Sequence, residues 1–176
     1  MRFHQTMIPG VFEIQIEPAT DERGFLARTW CREEFAAHGL KPDLAQCSIS
    51  FSPRKGTLRG LHYQAEPHAE AKLIRCTSGA VYDVALDLRP RSVTFKKWFA
   101  VVLSAEKRNM LYIPEGCAHG FLTLENDCEM LYLISELYHA DSARGIRWND
   151  PAFGIEWPDR VEMISDRDRN FAVFTF

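Results

Sequence analysis

Short apolar runs, each closed by Gly, Pro or a polar cluster, recur along the chain and predict β-strands throughout. They cover Val11 to Glu17, Phe25 to Trp30, Cys47 to Phe51, Thr57 to Gln64, Lys72 to Thr77, Val81 to Leu88, Trp98 to Leu103, Met110 to Ile113, Phe121 to Leu124 and Met130 to Ser135. Pro9-Gly10, Pro53, Gly56, Gly79, Pro90, Pro114, Gly116 and Gly120 punctuate the map as hairpin and corner residues. One short helix is predicted over Arg32 to His38, with Gly39 as its stop. The run from Ala80 to Leu88 places Ala80, Tyr82, Val84, Leu86 and Leu88 on one face and Asp83 and Asp87 on the other. The first face sees core, and the second must meet water, a polar lumen or a partner. The fold class is therefore all-β, and with no repeat or linker-like stretch the chain reads as one domain over 1–176.

Composition narrows the setting without changing the fold class. With 176 residues, 46% apolar and 26% charged, the chain can bury a core without staples. No apolar run approaches the roughly 18 residues of a membrane span, and the first residues lack the apolar core of a secretory signal. A cytoplasmic location is expected. Five cysteines, with no C-x-x-C pair, read as reduced thiols and small packing residues. A net charge of −3 offers no general attraction to nucleic acid or to acidic membranes.

Pro114-Glu115-Gly116-Cys117-Ala118-His119-Gly120-Phe121 resembles the second signature of cupin barrels, whose histidine points into the lumen. Metal-binding cupins pair it with an earlier H-x-H, but here that segment reads His62-Tyr63-Gln64, and an amide is a poor ligand for a transition metal. A wider constellation is more specific: R-G-L-H-Y-Q at 59–64, K-L-I-R at 72–75, Y-D-V-A-L-D-L-R at 82–89, I-P-E-G-C-A-H-G-F at 113–121, Tyr132, G-I-R-W-N-D-P at 145–151 and I-E-W-P at 155–158. In this order, over nearly the whole chain, it resembles the dTDP-4-dehydrorhamnose 3,5-epimerase family. The resemblance implies a cupin-type jelly-roll β-barrel with a few short helices, in a homodimer. It further implies epimerisation at C3, C5 or both of a nucleoside-diphosphate-linked 4-keto-6-deoxyhexose, with no cofactor and no metal.

The chemistry suits the residue types. A hydrogen beside a ketone is removed by a positioned base while the enolate is stabilised, and reprotonation from the opposite face inverts the centre. By the resemblance His62 is the base, Asp168 its orienting partner, Tyr132 the acid on the opposite sugar face, and Lys72 the cation at the keto oxygen. Substrate contacts fall on Arg23, Gln46, Ser48, Arg59, His119, Tyr138 and Arg28. On pattern alone Tyr132 is a core tyrosine, Lys72 and Arg75 are edge charges, and Trp98, Trp148 and Trp157 are packing anchors. His4, His38, His68 and His139 are surface or packing residues. Strict alternation sends Arg59 and His62 to opposite faces, so a bulge at Gly60 is expected if both meet the ligand.

Three positions depart from the family pattern: Arg28 replaces an acid, Ser48 an asparagine-like amide and Ala143 an acid. All three are expected at the nucleotide or phosphate end of the ligand, which leaves the identity of nucleotide and sugar open. Two other readings compete. One is a metal-dependent cupin oxygenase or isomerase using His62, His119 and Glu70; the other is a non-catalytic barrel that binds sugar nucleotides.

Overall fold

Extended segments dominate the computed structural model, which describes residues 1–174. In chain order they are β1 (Arg2–Gln5), β2 (Phe12–Gln15), β3 (Ala19–Asp21), β4 (Gly24–Leu26), β5 (Gln46–Ser52), β6 (Thr57–Gln64), β7 (Lys72–Ser78), β8 (Ala80–Asp87), β9 (Trp98–Ser104), β10 (Met110–Ile113), β11 (Cys117–Thr123), β12 (Cys128–Ile134), β13 (Ala143–Gly145) and β14 (Met163–Ile164). Two short helices complete the set, α1 (Arg32–Ala37) and α2 (Asp166–Arg169). One sheet has the order β1-β2-β10-β7-β12-β5, and the other runs β13-β6-β11-β8-β9 with β14 added to β6. The two sheets close on one another as the expected cupin-type jelly-roll β-barrel.

Most predicted strands lie within a residue or two of their observed places, and β6 and β10 match end to end. Phe25 to Trp30 does not form the expected strand. Residues 19–28 instead hold the β3–β4 hairpin, exposed along its length with Leu26 80% open, because no third strand is available to pair there. The strand expected from Phe121 begins at Cys117, so His119 sits within the ladder and not on a turn. β7 lies between β10 and β12, which corrects the reading of Lys72 and Arg75 as edge charges. Helix α1 ends at Ala37, and Gly39 takes the left-handed φ of 69° that stops it.

Three apolar clusters position the barrel. Between the sheets, Ile8, Ile74, Val81, Ala85, Leu111, Phe121 and Met130 fill one end of the interior. Outside the first sheet, Phe35 of α1 packs on Ile14, Leu73, Met110 and Tyr112. Outside the second, the strand face of Val84 and Leu86 is covered by Ile146, Phe153 and the anchors Trp98, Trp148 and Trp157. Both outer faces are thus sealed locally, and the remaining interior is polar. Cys76, Cys117 and Cys128 are buried as packing residues, with burial pushing the Cys117 thiol up to about 12. Cys47 is exposed and Cys31 half-buried, so the packing role does not extend to them.

Asp83 and Asp87 share a face, as expected, but they do different work. Asp83 reaches His119 in the lumen. Asp87 anchors the loop after its strand, accepting from the Arg89 N–H, Nε and Nη2 at 3.0, 2.8 and 2.8 Å, Ser92 Oγ at 2.6 Å and Thr94 Oγ1 at 2.7 Å. Burial alone would raise its pKa; these bonds outweigh burial and hold it at about 2, against 3.8 for an ordinary aspartate. A carboxyl more acidic when folded than unfolded stabilises the protein above the unfolded value and loses that contribution as pH falls through the folded one. The expected result is a loss on the order of 2 kcal/mol between those two values, measured as a falling urea midpoint. Asp87→Asn should flatten that limb; an unchanged limb would assign it elsewhere.

Candidate active site

A cavity of about 760 Å³ opens at the polar end of the barrel. Strand β6 contributes Arg59 and His62, β11 contributes His119, β7 Lys72, β12 Tyr132, and β5 Gln46 and Ser48, while Asp168 arrives from α2. Tyr138 lines the rim from the loop after β12 and is 60% exposed. All four expected catalytic residues and five of the seven expected contact residues therefore meet in one pocket. Arg23 and Arg28 do not. Arg23 sits on the exposed β3–β4 hairpin, pinned to Asp21 of the same turn at 2.5 Å, and Arg28 pairs with Glu34 of α1 at 2.8 Å. Neither guanidinium lines the pocket of its own chain, and both are exposed and pair with neighbouring carboxylates instead.

The expected bulge is present at Gly60. Against β11, His62 pairs with His119 and Arg59 with Phe121, so three steps along β6 match two along β11. Gly60 has φ of +118°, and a Cβ there would stand 2.5 Å from Gly120 Cα and 2.7 Å from the His119 carbonyl oxygen. Only glycine fits. The bulge turns the Gly60 N–H toward Asp168 Oδ2 at 3.0 Å, while Asp168 Oδ1 lies 2.7 Å from His62 Nε2. One carboxylate thus fixes both the strand irregularity and the imidazole.

A carboxylate only accepts, so the hydrogen on the His62 ring sits on Nε2, and Nδ1 carries the free lone pair. Burial pushes the Asp168 carboxyl up, yet the hydrogen bonds from His62 and the Gly60 N–H prevail and hold it below the usual range. The edge of Phe171 meets the His62 ring, with centroids 6.0 Å apart. Gly145, the β13 partner of His62, makes room: any Cβ there would overlap the Phe171 ring. The His62 ring is therefore fixed by the carboxylate at Nε2 and by the Phe171 ring beside it.

Tyr132 faces His62 from the other sheet. It shares its strand face with Met130 and Ile134, as the alternation predicted, and its ring meets the His119 ring edge-on at 6.0 Å. Burial pushes the phenol pKa up and the charge of Asp83 adds to this, with Arg59 opposing. The Tyr132 phenol thus keeps its proton at neutral pH. His119 Nε2 is 2.8 Å from the fully buried Asp83, a second imidazole–carboxylate pair.

Lys72 is nearly buried, pairs with Glu70 at 2.8 Å and donates to the His62 carbonyl at 3.3 Å. Glu70 was weighed in the sequence only as a metal ligand, and its partnership with Lys72 depends on how the loop before β7 folds back. Arg59 donates to Ser52 Oγ and to the Phe51 carbonyl, which aims its guanidinium along the pocket wall. Arg144 and Arg167 also line the cavity and were missed. The one sequence signal for Arg167 is its place beside Asp168. Of the three departures from the family pattern, Ser48 and Ala143 line the pocket and Arg28 does not.

The metal-cupin reading needs His62, His119 and Glu70 to converge. Among the described residues, three His, Cys, Asp or Glu ligand atoms come within 4.8 Å of one another only at His68, Glu136 and His139, which are not pocket residues. Gln64, standing where a cupin ligand would be, instead gives its amide to the backbone of two loops.

Residues 5–175 match the model of the dTDP-4-dehydrorhamnose 3,5-epimerase family. The chain belongs to that family. A dTDP-4-dehydrorhamnose 3,5-epimerase from Shigella flexneri is 44% identical over 171 residues, covering 97% of this chain and 94% of the relative. The crystal structure of the Elizabethkingia anophelis enzyme of that name superposes with a TM-score of 0.96 at 35% identity, covering 99% and 96% of the two chains. A 3'-monoepimerase from Streptomyces bikiniensis, solved in complex with dTDP-quinovose, gives a TM-score of 0.87 at 35% identity over 96% and 85%. Family membership makes the protein an epimerase, hence an isomerase, and agrees with the barrel. No helix among the described residues is long and apolar enough to cross a membrane.

Proposed function

We propose that the protein inverts C3, C5 or both of a 4-keto-6-deoxyhexose carried on a nucleoside diphosphate, with dTDP the nucleotide its relatives' names suggest. The observation that carries this is the placement of the His62–Asp168 pair on one sheet and Tyr132 on the other, facing a common cavity. His62 Nδ1 takes the proton from the carbon beside the ketone, and the C–H electron pair moves into the enolate with charge on the former keto oxygen. The Lys72 ammonium is the cation available to that oxygen. Tyr132 returns a proton to the opposite face of the same carbon, and solvent restores both His62 and the phenol. No redox change occurs, so the ketone itself supplies the acidity and the reaction requires no cofactor.

Arg59, Arg144 and Arg167 are the pocket cations suited to a diphosphate. Gln46, Ser48, His119 and Tyr138 supply polar contacts around the sugar and nucleotide. Identity is 35% to both a 3,5-epimerase and a 3'-monoepimerase, but the 3,5-epimerase superposes better, with TM-scores of 0.96 and 0.87; the number of inversions depends on how the sugar can turn in this pocket, where Ser48 and Ala143 leave more room than larger polar side chains would. A homodimer accompanies this reading. Its support is the apolar surface of Phe25, Leu26, Ile49 and Phe51 on the hairpin and on edge strand β5, 46–80% exposed in one chain. Covering that hairpin is also the route by which Arg23 would approach a ligand. Free thiols favour a cytoplasmic setting.

The test is incubation of dTDP-linked 4-keto-6-deoxyhexose in deuterated water, followed by proton NMR at C3 and C5. Deuterium is expected at one or both positions together with inverted product. Ligand binding without any exchange would leave a binding barrel and refute the epimerase reading.

A further inference from the structure

Two loops meet beside the pocket rim, residues 65–71 after β6 and residues 135–142 after β12. Gln64 locks them together. Its Nε2 donates to the carbonyls of His68 and Leu137 at 2.9 and 3.0 Å, and its Oε1 accepts from the His139 N–H at 2.6 Å. This clamp sets the imidazoles of His68 and His139 face to face, with centroids 3.4 Å apart and planes 9° from parallel. Glu136 completes the group: its Oε1 accepts from the Leu137 N–H at 2.8 Å and lies 3.9 Å from His139 Nε2. One ligand atom from each residue lies within 4.8 Å of the other two, and all three side chains are half-buried.

We propose that His68, Glu136 and His139 form a binding site for a divalent transition cation of the zinc class, separate from the epimerase chemistry. Two imidazole nitrogens and one carboxylate oxygen select zinc, nickel or cobalt over calcium and magnesium, which demand more oxygens. Ligand bonds of about 2.0–2.1 Å put tetrahedral donors about 3.3 Å apart. The three donor atoms therefore close in by at most about 1.5 Å around an ion, and the two rings turn out of parallel so that their in-plane lone pairs converge. Their partial exposure leaves the rotation free, while the Gln64 clamp already holds the backbones in place. Water takes the fourth position.

Such an ion cross-links the two loops through side chains where Gln64 links them through backbone. Tyr138 lies between Leu137 and His139 and lines the pocket. The site thus acts as a structural fastener of the rim, and its occupancy does not depend on whether the proposed reaction is right.

The experiment titrates metal-stripped full-length protein with zinc chloride and with nickel chloride by calorimetry, with elemental analysis after dialysis. Wild type is expected to retain one equivalent and to melt at a higher temperature with zinc than without. His68→Ala, His139→Ala and Glu136→Gln are expected to bind at least ~10-fold more weakly. Cys47→Ser, removing the exposed thiol, is expected to bind as wild type does. No binding by wild type, undiminished affinity in both histidine variants, or loss of binding in Cys47→Ser would each overturn the site. Because a variant can fail to fold, wild type is also loaded with cobalt: a visible spectrum without sulfur charge transfer is the expected result, and a thiolate band rejects the assignment.

Discussion

His62→Ala is expected to lower the epimerisation rate by about 10²–10⁴-fold, the usual worth of a positioned general base, and to abolish deuterium exchange at the sugar carbons along with it. The reason is geometric. Its Nε2 is committed to Asp168 at 2.7 Å, which leaves Nδ1 as the proton acceptor on that side of the cavity. No other imidazole replaces it, because His119 is itself bound to buried Asp83. Tyr132→Phe should behave differently, since the base survives and only the donor on the opposite sheet is lost. Exchange is expected to persist while inversion falls by about 10²-fold. Both are read in one NMR experiment that follows deuterium content and product stereochemistry together. Wild-type exchange in His62→Ala would remove the histidine from its role, and unimpaired inversion in Tyr132→Phe would do the same for the tyrosine.

Gly60→Ala is expected to destabilise the fold by about 3 kcal/mol or more, from backbone strain and overpacking acting together. The added methyl must share space with Gly120 Cα and the His119 carbonyl oxygen, both backbone atoms of the neighbouring strand, at a φ of +118°. Backbone on both sides leaves no flexible side chain to give way. In a chain of this length that loss corresponds to a fall in melting temperature of roughly 6–12 °C. Activity should fall beyond the stability loss, because the Gly60 N–H and His62 share Asp168 and any shift of the bulge moves the base. Thermal and urea denaturation, with kcat measured well below the melting temperature, check both effects. Stability within 1 kcal/mol of wild type would show that the bulge tolerates a side chain.

Much of the barrel was legible because strand periodicity is a local property. Thr57 to Gln64 and Met110 to Ile113 were read end to end, and the alternation along Ala80 to Leu88 put Asp83 and Asp87 on one face correctly, although that face is the barrel interior and also carries Val81 and Ala85 of the core. The motifs carried His62, Lys72, His119, Tyr132 and Asp168 to one pocket. The need for a bulge at Gly60 followed from the odd spacing of Arg59 and His62. Other features depend on partners distant in sequence. β13 and β14 are only three and two residues long and exist because β6 pairs with them. Arg23 and Arg28 looked like ligand contacts by motif position, but the exposed hairpin and the segment after it carry them away from the cavity of their own chain, beside Asp21 and Glu34. His68 and His139 are unremarkable 71 positions apart until Gln64 ties their loops together.

By itself, the sequence determined the all-β class, the spans of the central strands and the family, because hydrophobic period and contiguous motif are written along the chain. Only the tertiary structure decided which charges face the ligand, what Gln64 and Glu70 hold, and that the Gly60 bulge and His62 rest on a single carboxylate. Those outcomes turn on pairings across the barrel, where burial and hydrogen-bond competition are settled by residues far apart in sequence.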